Sequence, residues 1–330
     1  MRLSQIAAQI AGYLEGPDLE VSRLAAPEAA QPGQLVVVRE DAFLEIALSS
    51  GAALLLAENA LCPDGVSRIR VPDVAKAWPK VLELFDAPHR AKQGVHPTAT
   101  LEAESEVAPT ASIGAYSYVC SGARVLPQAV IGAYCYVGEG AEVGEGAVLE
   151  PRVTLYRQTI VGPGCWIGSG AILGTLGFGF QEGQRLPHSG RVVLEEGVEL
   201  GAASVVQRSL VGETRIGAHS KIGDVTQIGH NVQIGRGVVM VGSSGLAGSV
   251  VLEDGVLMGA QVMVADHVRI GKGARIAAGS GISKDVPAGE TWAGAMLARP
   301  VREHWRRLAL LDWLLGVERK LRTLLRSQDD

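Results

Sequence analysis

Aromatic residues are scarce in this chain, at 5% of 330 positions, with only four Phe. Long apolar runs are missing as well. No stretch approaches the roughly 18 residues that a membrane span requires, so the chain is expected not to cross a membrane. Cysteine is limited to Cys62, Cys120, Cys135 and Cys165. None forms a CxxC pair or shows metal-like spacing, which argues against a disulfide framework or a zinc site. A strong charge bias is absent too: 30 basic residues face 35 acidic ones, a net of −5. That balance gives no pull toward nucleic acid. The N-terminus places Ile6 and Ile10 among polar residues. It predicts an amphipathic helix rather than an export signal, hence a cytoplasmic protein.

Glycine is abundant, with 42 residues. It follows no three-residue period, which excludes collagen. Plentiful Val, Ile and Leu exclude disorder. The glycines belong to a repeat of six. Every sixth residue from Val95 to Leu173 is aliphatic. A second register from Val192 to Ile282 is apolar everywhere except Ser204. Glycine often follows the aliphatic residue, as at Gly114, Gly132 and Gly217. A small or β-branched residue tends to sit four places after it, as at Ala123, Cys135 and Cys165. No α-helix has a period of six. A parallel β-helix does: three hexads make one triangular coil, with aliphatic side chains inside. Glycine is expected to permit the bend at each corner, and Cys135 and Cys165 to be inward packing residues. Some thirty hexads predict about ten coils.

Between the two registers lies 174–191, with Phe178 and Phe180 among glycines. A loop that interrupts a solenoid commonly carries function. Residues 1–94 lack the hexad. Helices are expected over 3–13, 41–48 and 74–84 and strands over 34–38 and 52–57, a small α/β domain. Residues 95–286 form the solenoid and 287–330 a C-terminal loop and helical extension. There Trp305, Leu308, Leu311, Leu315 and Leu321 suit one face of a helix that covers the open end of the solenoid. Arg302, Arg306 and Arg307 add a basic patch suited to an acidic partner.

The period places chemistry. Hexads 18 residues apart return to one edge, so His230, Gly248 and His267 fall near one corner on successive coils, each about 4.8 Å from the last. The segment QIGHNVQIG, 227–235, resembles the QIAHNVxIG signature of the UDP-3-O-acylglucosamine N-acyltransferases of lipid A biosynthesis. LGTLGFGF resembles that family's LGxDGFG loop, and the resemblance runs along the whole chain. It implies a left-handed β-helix, a uridine-binding N-terminal domain and a homotrimer with active sites between neighbouring prisms. It implies transfer of a 3-hydroxyacyl chain from acyl carrier protein to the 2-amino group of the UDP-sugar, with no cofactor and no metal. His230 is then the general base and Gly248 the oxyanion donor. His267, Phe43, Gln227, Asn231, Phe178, Phe180 and Asp224 are substrate-side residues, and Arg302, Arg306 and Arg307 meet acyl carrier protein.

The chain departs from the family pattern at Leu176 (commonly Asp), Gln207 (in place of Asp) and Gly223-Asp224 (in place of Asp-Asn). Two alternatives follow: an acyltransferase acting on another sugar nucleotide, with acyl carrier protein or CoA as donor, or a non-catalytic trimeric scaffold. A zinc hydratase on the same fold would need three converging histidines, and His219 falls on a different edge from His230.

Overall fold

The computed structural model describes residues 1–85, 93–294 and 300–326. The chain divides into two compact units, Met1–Arg90 and Ala91–Asp330.

In the first unit, β1 (Tyr13–Glu15), β2 (Arg23–Ala25), β3 (Gln34–Val37), β4 (Ala53–Ala57) and β5 (Arg68–Val71) form one sheet in the order β1-β5-β4-β3-β2. Its neighbours are parallel except β1, which runs antiparallel to β5. Leu3 and Ile6 of α1 (Leu3–Gln9) and Val81 of α3 (Val74–Phe85) share a core with Leu35, Leu55 and Ile69. Val36, Leu54 and Leu56 pack with Ala47 of α2 (Leu44–Ser49) in a second core. The first helix is shorter than its pattern suggests. Ala11 turns left-handed (φ 53°), and a Cβ on Gly12 would stand 2.6 Å from the Arg70 carbonyl. The chain therefore leaves the helix and joins the sheet. Strand β5 escaped the pattern because Arg68 and Arg70 are buried in it. Both pair with Glu15 on β1.

The second unit is a parallel β-helix. Short strands, most of two residues, stack into three faces of eleven, ten and nine strands. We call them A, B and C, beginning with Gly94–Val95, Thr100–Leu101 and Glu106–Val107. Up to Leu173 the pairing follows the hexad: Val119 lies beside Val137, and Val125 beside Val143. The core is one column of buried aliphatic side chains. Cys135 and Cys165 lie in it, and burial pushes both thiols up to about 11. Neither suits a nucleophile's role.

Two expectations are corrected. Glycine plays two roles, and the one just after the aliphatic residue is not the bend. At Gly132 and Gly217 a Cβ would lie 2.6 Å and 2.5 Å from backbone of the next coil. These glycines allow coils to stack closely. The left-handed corner falls two residues later, at Gly146 (φ 64°) and Gly170 (φ 71°), and there Tyr134, Arg152, Asn231 and His267 also adopt it.

The second correction concerns register. Val161 pairs with Leu194 and Leu173 with Val206, so the inward register resumes at Leu194 rather than Val192. Leu194 then pairs with Ile216. The step from Val206 to Ile216 is ten residues, so a second, short insertion lies at 207–212. Val192 and Val198 are buried because a hexad has two inward positions, two residues apart. A slip of two is therefore invisible to a count of apolar residues. Ser204 occupies the small inward site, where its hydroxyl donates to the Gly223 carbonyl and accepts from the Thr226 amide.

The chain ends in α4 (Val301–Arg326). Trp305, Leu311 and Trp313 are exposed on it and Leu308 is half-buried. The expected cover over the solenoid is thus not made by the described side chains of one chain. The side chains of Leu315 and Leu321 lie outside the described residues. No helix among the described residues is long and apolar enough to cross a membrane.

Candidate active site

His230, Gly248 and Asp266 are each two residues past an inward aliphatic of face B, at the corner leading to face C. The register Gln227–Gly245–Met263 stacks these coils directly. His230 lies flat enough against Gly248 that a Cβ there would meet its Cε1 at 2.6 Å and its Nε2 at 2.7 Å. Only glycine leaves that space. The Gly248 N–H has no hydrogen-bond partner among the described residues. His267, one place on from Asp266, is exposed at the same corner, and its amide donates to the Gly248 carbonyl at 3.0 Å.

Asn231 holds the imidazole. Its Nδ2 donates to the Val211 carbonyl at 3.2 Å, and its Oδ1 accepts from the Leu210 amide at 2.9 Å. Those two bonds fix which end of the amide is oxygen. The same Oδ1 lies 3.2 Å from His230 Nδ1. In the neutral imidazole an acceptor there places the proton on Nδ1 and leaves the Nε2 lone pair free. The short insertion 207–212 thus anchors Asn231, and Asn231 sets the tautomer.

The long insertion brings a second histidine. His188 is buried at 3% exposure, and its Nδ1 is 3.0 Å from the Leu186 carbonyl. Its ring meets the His230 ring edge-on, with centroids 5.5 Å apart at 67°. Gly177 completes the wall. A Cβ there would run into His188 and lie 2.9 Å from His230 Cδ2. Sequence reasoning missed His188 because its contact depends on the path of the insertion; its place in a glycine-rich loop was the available signal.

Asp224 is not brought to His230. It sits two past Ile222 of face A, on the preceding corner, and accepts a hydrogen bond from the Ala202 amide at 2.7 Å. Gln227 is exposed on face B beside Gly245. Phe178 and Phe180 stand at the tip of the long insertion, edge to face at 5.1 Å. Phe180 opens a small hairpin (Phe180–Gln181 with Gln184–Arg185), and Arg185 lies 4.8 Å above its ring. Phe43 is half-buried in the first unit, at the start of α2. Arg302, Arg306 and Arg307 are exposed on α4.

One coil before His230, Arg208 occupies the same corner. It is buried at 3% exposure and donates to the carbonyls of Gly174 (2.7 Å) and Arg157 (3.1 Å). Burial, then the nearby Arg157 charge, pulls its pKa below the ordinary arginine value. It lines a cavity of about 740 Å³ with Tyr136, Tyr156, Arg157 and Leu176. Among the described residues, no group of three His, Cys, Asp or Glu side chains is placed to hold a metal ion.

The chain is 38% identical over 224 residues to the UDP-3-O-acylglucosamine N-acyltransferase of Pseudomonas syringae pv. syringae, strain B728a. The match spans 66% of this chain and 64% of that protein. The enzyme of the same name from Pseudomonas aeruginosa, strain UCBPP-PA14, is 38% identical over 65% of this chain and 63% of its own length. The chain is a homologue of the UDP-3-O-acylglucosamine N-acyltransferases. It spans a little under two thirds of the length of these relatives. No family model matches it. Among solved structures, the Arabidopsis UDP-N-acetylglucosamine acyltransferase superposes with a TM-score of 0.58 at 25% identity, over 65% of this chain and 76% of that one. The Francisella novicida enzyme of the same name gives 0.51 at 22% identity, over 61% of this chain and 67% of that one. Both support the left-handed β-helix.

Proposed function

We propose that this homologue is an N-acyltransferase. It moves a 3-hydroxyacyl chain from acyl carrier protein to the 2-amino group of UDP-3-O-acylglucosamine. The observation that carries the reading is His230, with Asn231 Oδ1 at its Nδ1, set over the free amide of Gly248. The amine attacks the thioester carbonyl, and His230 Nε2 takes its proton. Gly248 N–H donates to the oxyanion that develops. Collapse breaks the C–S bond, and the thiolate leaves with the proton that His230 holds. The thioester supplies the driving force, so no cofactor is needed.

The remaining site residues take roles around that step. Exposed His267 suits a phosphate of the nucleotide, and Phe43 suits stacking on uracil. Gln227, Phe178 and Phe180 present surface toward sugar and acyl groups. Arg302, Arg306 and Arg307 suit the acidic surface of acyl carrier protein. A homotrimer, as expected from the sequence, would place these groups on neighbouring prisms. The co-substrates set the reaction in the cytoplasm. Leu176, which lines the cavity at the loop position where the family pattern commonly has Asp, supports a second reading in which the sugar nucleotide differs.

The test is N-acylation of UDP-3-O-acylglucosamine by purified protein with 3-hydroxyacyl carrier protein, compared with His230→Ala. Transfer by the parent and its loss by on the order of 1,000-fold in the variant are expected. Equal rates would overturn the role of His230. Transfer only to another sugar nucleotide would favour the second reading.

A further inference from the structure

We propose that His188, carried on the long insertion, is a positioning residue that locks the His230 ring in its working rotamer. The proposal rests on the reading of His230 as the base.

Four groups stand around the His230 ring. Asn231 Oδ1 holds Nδ1, and Gly248 lies under the Cε1–Nε2 edge. Gly177 closes on Cδ2, and the His188 ring stands edge-on at 5.5 Å. Gly248 and Gly177 carry no side chain, so neither gives the ring a side-chain contact. Asn231 offers a single bond at 3.2 Å. The His188 ring is a bulky group beside it, placed to hold the imidazole against Asn231. A histidine χ2 torsion is broad when nothing restrains it.

The position of His188 is itself well determined. Its Nδ1 donates to the Leu186 carbonyl at 3.0 Å, and its Nε2 edge rests on the Gly177 backbone. The next residues tie into the short insertion: the Ser189 amide donates to the Leu210 carbonyl at 2.9 Å and the Gly190 amide to the Ser209 carbonyl at 3.2 Å. Leu210 in turn donates to Asn231. The two insertions thus brace each other, and His230 is clamped between a ring from one and an amide anchored by the other. A polar side chain buried this deeply, making one backbone bond and one ring contact, is well placed for such a task.

His188→Asn separates this role from a structural one. The Asn amide reproduces the donor to the Leu186 carbonyl but has no ring to press on His230. In ¹⁵N-histidine-labelled, ligand-free protein, the His230 resonance is assigned by its loss in His230→Ala. The parent is expected to show Nδ1 protonated and Nε2 bare. In His188→Asn the two nitrogen shifts are expected to converge, as the ring leaves Asn231 and the tautomers average, at an unchanged melting temperature. Turnover on UDP-3-O-acylglucosamine should show kcat lower by roughly 10- to 100-fold with KM unchanged. An unaltered His230 spectrum in His188→Asn overturns the proposal. If the parent does not acylate that substrate, the functional reading fails, while the spectrum still decides the role of His188.

Discussion

His230 is oriented by an amide rather than a carboxylate. Asn231 Oδ1 can only accept, and its Nδ2 is already committed to the Val211 carbonyl. The tautomer is therefore set without a buried negative charge next to the imidazole. Asn231→Ala removes that acceptor and orphans the Leu210 amide. We expect kcat to fall on the order of 100-fold, because an imidazole in the wrong tautomer cannot take the proton. Steady-state kinetics checks this, and a change confined to KM would instead place Asn231 in substrate binding. The stack of His230 over Gly248 was legible because steps of 18 residues return to one edge. Asp224, expected from the sequence to be a site residue, falls outside that stack, since Ile222 starts the hexad before Ile228 and so feeds another corner. His188 was not legible: an insertion has no period, and its path is set by contacts with the coils.

Among elements, the hexad shows why two kinds of glycine behave differently. Gly217 has ordinary φ but no room, with Gly235 backbone 2.5 Å from where a Cβ would stand. Gly146 has room, with nothing within 4 Å, but needs a left-handed φ of 64°. Gly217→Ala must push two coils apart and is expected to cost about 1–3 kcal/mol. Gly146→Asn should cost less than about 1 kcal/mol, since asparagine tolerates that region, as Asn231 does at an equivalent corner. Denaturant titration of both variants checks the order, and the reverse order would refute the assignment of roles. The β-helix as a class was legible because its inward positions must be aliphatic over many repeats. The register after the long insertion was not, because neighbouring inward positions are both apolar. Only the strand pairing shows that a second insertion shifts the frame.

For the whole molecule, charge clusters tie these interruptions to the regular coils. Strands Arg191–Leu194 and Glu213–Ile216, which follow the two insertions, pair in parallel. Glu213 accepts from Arg191 Nε at 2.9 Å and also pairs with Arg215, which reaches Glu195 at 2.8 Å. Hydrogen bonding from Arg191, and then from Arg215, holds the Glu213 carboxyl below its ordinary range. A depressed folded-state pKa stabilises above the unfolded value, near 4.3 for Glu. That stabilisation is lost as pH falls through the folded value. Denaturation midpoints measured from roughly pH 6 to roughly pH 3 should fall less steeply in Glu213→Gln than in the parent. Equal slopes would show that the cluster does not contribute. The first unit kept one strand hidden for a related reason: Arg68 and Arg70 look like solvent-facing residues until Glu15 is placed beside them. The sequence by itself determined the solenoid, its corner column and the stacking of His230 over Gly248, because a repeat converts position along the chain into position in space. The clamp around His230 was decided by tertiary structure alone. Gly177, His188 and the segment that anchors Asn231 come from insertions whose paths obey packing and hydrogen bonding rather than any period.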